Sequence, residues 1–264
     1  MEKLKLTQEN YYSQEADLCY MSYSQFKDFL ECESQALAIV KGLYKKPEGD
    51  ALLQGSYVDA YFSGEMEKFK NEHPEIFKKD GTLLAKFEIC NQIVKTIEED
   101  DFFKTRFYGG NAQTILTGEI AGVPFKCKID QFYPGSRIVD MKCMKDVNDI
   151  WDSEIHAYVR FWQKYGYHIQ AAIYRELVRQ NYGETLPYYL AVATKETPVQ
   201  KHAYLFDPAL LDDTLKLVET LAPRFQTIKL GDTQPNECGK CAYYHSTHKL
   251  DIFDVEEIKK EDLR

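Results

Sequence analysis

The chain has 264 residues, 44% of them hydrophobic, which is enough to bury a full core with room for helical elaboration. Its formal charge of −9, from 42 acids against 33 bases, excludes a protein that coats duplex DNA through net charge, because that affinity comes from Lys and Arg at phosphates. No apolar run reaches the roughly 20 residues of a membrane span, no signal-peptide core follows Met1, and the seven cysteines form no even secreted framework, so a reducing cytoplasm is expected.

In chain order, residues 1–20 read as a loose lead-in. Ser22-Tyr-Ser24 caps a helix expected over 25–43, with Phe26, Phe29, Leu30, Leu37 and Val40 spaced by three and four. A loop at Pro47 precedes a second helix over 51–62. The charged stretch 64–81, punctuated by Gly64, Pro74 and Gly81, reads as loop, and 84–97 as an amphipathic helix. A strand-rich block follows at 113–120, 123–133 and 137–142, with reversals at Ala121-Gly122 and Pro134-Gly135-Ser136. Helices are expected over 153–165 and 167–182, broken at Gly166. The first is aromatic (Tyr158, Phe161, Trp162, Tyr165) and reads as core rather than as a base-stacking platform. Strands at 187–194 and 200–206 and a long helix over 208–228 complete one α/β domain spanning 1–250, followed by a charged tail at 251–264.

The chemistry concentrates at residues 126–142. Asp130 lies on one expected strand, and Asp140 and Lys142 lie two apart on the next, hence on one face. Phe125, Ile129, Phe132, Ile138 and Val139 frame these charges, and strands with an apolar frame rarely carry unpaired carboxylates. Two carboxylates brought together repel unless a cation sits between them, and hard oxygen ligands suit Mg²⁺ or Mn²⁺. Glu119, at the end of the preceding strand, is expected to join the cluster. On the helix over 167–182, Gln170 and Tyr174 are four apart and share a face.

Asp130 followed by Asp140-Met-Lys142 resembles the PD-(D/E)xK nuclease superfamily. Gln170-Ala-Ala-Ile-Tyr174 resembles the Q-x-x-x-Y signature of its RecB-like branch, and the layout over about 20–245 is most similar to phage RecE-like exonucleases. The resemblance implies a restriction-endonuclease-like α/β core, a mixed central sheet flanked by helices. It also implies a Mg²⁺-dependent DNA exonuclease, with Mn²⁺ able to substitute. Asp130, Asp140 and the Met141 carbonyl would hold metal. Lys142 and Glu119 would act in catalysis, and Gln170 and Tyr174 would grip DNA. Gly55-Ser-Tyr-Val-Asp59 resembles the family's G-x-x-x-H element, with Asp59 standing where a metal-binding histidine is expected.

Further implications are processive 5′-to-3′ action on double-stranded DNA ends and a trimeric or tetrameric homo-oligomeric ring. A single-strand annealing partner in phage-type recombination would follow, in a bacterial or phage-infected cell. A structure-specific or restriction-type endonuclease would use the same residues, and a degenerate DNA-binding module is the other class.

Cys238-Gly-Lys-Cys241 is a tight C-x-x-C followed by His245 and His248. Some RecB-like nucleases carry an iron–sulfur cluster on one early and three late cysteines, which would make Cys32 the early ligand. No fourth cysteine follows here, so neither zinc nor an iron–sulfur cluster is expected at Cys238 and Cys241.

Overall fold

The computed structural model describes residues 4–47 and 49–250; the expected charged tail lies outside them. The chain begins with α1 (Gln14–Cys19), where a loose lead-in is expected, followed by α2 (Tyr23–Glu31) and α3 (Glu33–Val40). Ser22 caps α2 as expected, its hydroxyl accepting the Gln25 N–H at 3.2 Å. The helix expected over 25–43 is nevertheless two helices, because Cys32 is extended at φ −164° and ψ 112°. Periodicity runs unbroken through Cys32. The bend is set instead by packing, as Phe26 and Phe29 both close on Phe225 at 5.2 Å.

Next come α4 (Asp50–Ser63), α5 (Met66–Glu72), α6 (Glu88–Glu98) and α7 (Asp101–Phe107). The stretch expected as loop thus holds α5, anchored by Phe69, which meets Tyr57 of α4 edge-on at 5.8 Å. Strands β1 (Asn111–Ile120), β2 (Val123–Tyr133) and β3 (Arg137–Met144) match the strand-rich block. The reversal after β1 takes Ala121 and Gly122 to φ of 49° and 77°.

The largest departure is at 150–159. There β4 (Ile150–Asp152) and β5 (Ala157–Val159) form a hairpin in place of a helix, and α8 keeps only Phe161–Lys164. Trp151 sits opposite Tyr158 across the ladder, their rings 5.3 Å apart, and such cross-strand aromatic pairs favour a sheet over a helical turn. The aromatic stretch is therefore split, with Phe161 buried and Tyr158 exposed. Then follow α9 (Tyr167–Tyr182), β6 (Tyr188–Thr194), β7 (Lys201–Leu205), α10 (Pro208–Leu230) and α11 (Ala242–Thr247).

The central sheet is five-stranded in the order β1-β2-β3-β6-β7, antiparallel except for the parallel pair β3–β6. This is the mixed α/β sheet flanked by helices that the sequence suggests. One face packs on α2, α3, α9 and α10 through residues such as Phe26, Ile173, Leu177 and Phe225. The other packs on α4, α6 and α7 through Val58, Ile93 and Phe107. Strands β3 and β6 feed both layers, Ile138 and Leu190 into the first, Val139 and Ala191 into the second. A strand covered on both faces needs a continuous apolar run, and Leu190-Ala-Val-Ala193 supplies one.

Candidate active site

The sheet forks at its centre. Strands β2 and β3 pair only at Gln131↔Val139, Phe132↔Ile138 and Tyr133↔Arg137, whereas β3 stays in register with β6 from Ile138 to Met144. Asp130 and Asp140 are thus the first residues past the last β2–β3 pair. In the gap, the Asp130 carboxylate accepts the Met141 N–H at 2.8 Å, taking the place of a strand carbonyl. Lys142 Nζ lies 2.5 Å from Asp140 Oδ2, as expected for residues two apart on one strand face. From α9, Gln170 Nε2 donates to Asp140 Oδ1 at 2.6 Å.

Asp59 reaches the same place from α4, on the opposite side of the sheet. Gln113 Nε2 donates to its two oxygens at 2.9 and 3.1 Å. A cleft of about 310 Å³ opens here, lined by Asp59, Tyr108, Asp130, Met141, Lys142 and Tyr167 among others.

Charge is crowded in this cleft. Asp140 is 1% exposed. Burial, reinforced by Asp140, pushes the Asp130 pKa well above the ordinary carboxylate range. Burial also pushes Asp59 up to about 6, although Lys128 and Lys142 pull the other way. Lys142 loses hydration too, but Asp140 and then Asp130 outweigh that and hold its ammonium above its ordinary pKa. In chemical terms three carboxyl groups crowd together where burial disfavours their charged forms, with Lys142 and Lys128 as the nearby cations.

Among the described residues, the partner of the buried Asp140 Oδ2 is the Lys142 ammonium at 2.5 Å. A buried carboxylate oxygen held this way, beside two further carboxylates of raised pKa, is a donor set that a hard divalent cation fits. Asp130, Asp140 and Asp59 are the side chains that could hold it.

The match to known proteins falls on the same frame. Residues 22–247 match the family model of the PDDEXK-like domain of unknown function, DUF3799. The chain belongs to this PDDEXK-like family. A crystal structure of a protein from Eubacterium rectale, named as a candidate exonuclease, superposes on the PDDEXK-like chain with a TM-score of 0.90 at 38% identity, covering 98% of each. The solved structure of SSO0001 aligns over 72% of this chain and 85% of its own at 13% identity, and its TM-score of 0.26 carries no argument. No curated protein matches. Members of the PD-(D/E)xK superfamily use divalent metal ions, in keeping with the donor set described above.

Within this PDDEXK-like site, not every expected residue is assembled. Asp130, Asp140, Lys142, Met141 and Asp59 come together, and Gln170 joins them. Glu119 does not. It is exposed, sits opposite Pro124 at the far end of β1, and its backbone is clamped by Gln180 at 2.9 and 2.7 Å. Six residues separate it from Gln113, a strand length of about 20 Å. Tyr174 shares the helix face of Gln170 as expected, but its ring is buried in the core against Tyr188 at 6.4 Å, so it does not face the cleft for a direct grip on DNA. Gln170 touches Asp140 rather than open solvent.

Two contributors escape sequence reasoning. Gln113, with φ 53° and a buried side chain, is what aims Asp59, and no local signal in β1 marks it. Tyr167 places its ring 5.5 Å from Lys142 Nζ. Its position three before Gln170 on α9 was the available signal. Finally, Cys238 and Cys241 are not an isolated pair, since the fold brings Cys32 against them.

Proposed function

We propose that the chain is a metal-dependent deoxyribonuclease that degrades double-stranded DNA from its ends. The observation that carries this is the sheet fork, where Asp130, Asp140 and Lys142 meet, with the Lys142 ammonium 2.5 Å from a buried Asp140 oxygen. A divalent ion held by Asp130 and Asp140, with Asp59 beside them, would supply charge stabilisation at the scissile phosphate. Mg²⁺ is the proposed ion, and Mn²⁺ would substitute in the same oxygen set.

The residues of the chain set up the rest. Lys142, kept protonated by its two acidic neighbours, positions the attacking water and stabilises negative charge growing on the phosphate oxygens. Gln170 fixes the Asp140 carboxylate through Oδ1 and leaves Oδ2 turned to the site. Gln113 holds the Asp59 carboxylate through both of its oxygens. Tyr167 and Ala51 also line the cleft, whose volume of about 310 Å³ leaves room for a strand end.

The resemblance of the motifs to RecE-like enzymes supports 5′-to-3′ processive action, a homo-oligomeric ring and a single-strand annealing partner in recombination. The candidate exonuclease that superposes along the whole chain supports action from ends over cutting at internal sites. The test uses one plasmid in two forms. Linearised duplex should vanish with Mg²⁺ while covalently closed circles survive, and strand-specific end labels should report loss from 5′ ends. Rapid linearisation of the closed circle would instead establish an endonuclease.

A further inference from the structure

Away from the cleft, the end of the described chain folds back on its beginning. Glu33 of α3 is bridged by Arg224 of α10 at 2.7 and 2.8 Å and accepts the Asn236 N–H at 2.7 Å. Beside this contact lie three cysteines. Cys32 comes from the bend between α2 and α3, and Cys238 and Cys241 flank a turn whose Gly239 takes φ 72°. The Cys32 and Cys241 sulfurs are 3.8 Å apart across 209 residues, and all three sulfurs lie within 4.8 Å of one another. Two of them accept backbone N–H groups, Cys238 from Cys241 and Cys241 from Tyr244, each at 3.3 Å. Such amide donors orient thiolates that ligate a metal.

The spacing discriminates between metals. An ion with tetrahedral Zn–S bonds of about 2.3 Å holds its sulfurs about 3.8 Å apart. An iron–sulfur cluster of the kind found in some RecB-like nucleases takes each cysteine on a different iron and uses four thiolates. Its ligand sulfurs therefore stand farther apart than those around one ion, and among the described residues only three thiols converge here. The cluster does not fit this chain.

We propose that Cys32, Cys238 and Cys241 hold a single Zn²⁺, with water as the fourth ligand. This site is separate from the catalytic carboxylates. It staples residues 231–248 to the bend between α2 and α3, closing a long loop of chain. Binding displaces the thiol protons and involves no redox step.

The test is elemental analysis of the untagged full-length protein after dialysis against a carboxylate chelator. About one zinc per chain is expected. It should persist in Asp140→Asn, which disables the carboxylate site, and be lost in Cys238→Ser and Cys241→Ser. Should the serine variants fail to fold, the wild-type protein stripped and refilled with Co²⁺ must show thiolate-to-metal charge transfer and tetrahedral visible bands at one equivalent. Stripping should also lower the melting temperature and expose residues 231–248 to protease. Several irons with acid-labile sulfide per chain would overturn the proposal. So would three freely titrating thiols with no cobalt spectrum, or zinc that disappears in Asp140→Asn and stays in the serine variants.

Discussion

Asp140 and Lys142 touch each other, yet their substitutions should separate cleanly. Asp140→Ala removes a hard oxygen ligand, so metal affinity and cleavage should fall together, with added Mn²⁺ recovering part of the loss. Lys142→Ala leaves every carboxylate in place and removes a competing cation 2.5 Å from Asp140 Oδ2. Metal should bind at least as tightly, while cleavage drops by roughly a hundredfold or more. Calorimetric metal titration alongside single-turnover cleavage tests this, and a Lys142→Ala enzyme cutting at the wild-type rate would remove Lys142 from the mechanism. Asp59 carries a pH signature. Its pKa rises from 3.8 to about 6 on folding, so the folded state binds the extra proton in that window. Stability from this group is complete below about 4 and is lost as pH climbs through about 6. Metal-free Asp59→Asn, neutral throughout, should therefore be more stable than wild type at pH 7.5, by at most about 3 kcal/mol, and equal to it near pH 4. Urea melts in chelator at both pH values give the comparison. Equal stability at pH 7.5 would mean that Asp59 is not held as a desolvated carboxyl.

At the scale of elements, the site depends on α9 lying close along β1 and β2, because α9 carries Gln170 and Tyr167. That closeness is bought at Gly118, where a Cβ would collide with Gln180 and come within 2.7 Å of Leu177 Cδ2. Gly118→Val should destabilise the fold by about 1–3 kcal/mol in urea denaturation, since Gln180 must swing away and the buried Leu177 must repack. A variant as stable as wild type would show that helix and strand are not in this contact. The same scale explains where patterning succeeded. Helix α9 ends between Gly166 and Gly183, both at positive φ, and strands β1 to β3 are bounded by Gly and Pro turns. These signals are local. The stretch 153–165 has helical spacing but also the Trp151–Tyr158 pairing, which exists only once two strands meet.

For the whole molecule, net charge and site charge act together. The chain carries −9 overall, and Asp59 and Asp130 line the cleft proposed for a phosphate, with Asp140 buried beside them. DNA ends should bind weakly in chelator. With the cleavage-impaired Lys142→Ala protein, Mg²⁺ should tighten binding by at least about tenfold, as read by fluorescence anisotropy at fixed salt. Affinity indifferent to the ion would place the phosphate elsewhere. The family was legible in the chain through its motif resemblance, while the strands and the shared face of Asp140 and Lys142 were legible because strand alternation and turn chemistry are properties of neighbours in sequence. The same spacing placed Gln170 and Tyr174 on one helix face. It could not say that Tyr174 turns into the core or that Glu119 lies a strand length away, since both follow from register and packing. Nor could it show Gln113 aiming Asp59 across 54 residues, or Cys32 meeting Cys241 across 209. Contacts between distant segments have no local signature. They are decided when the two faces of the sheet are covered and the end of α10 returns to the first helices.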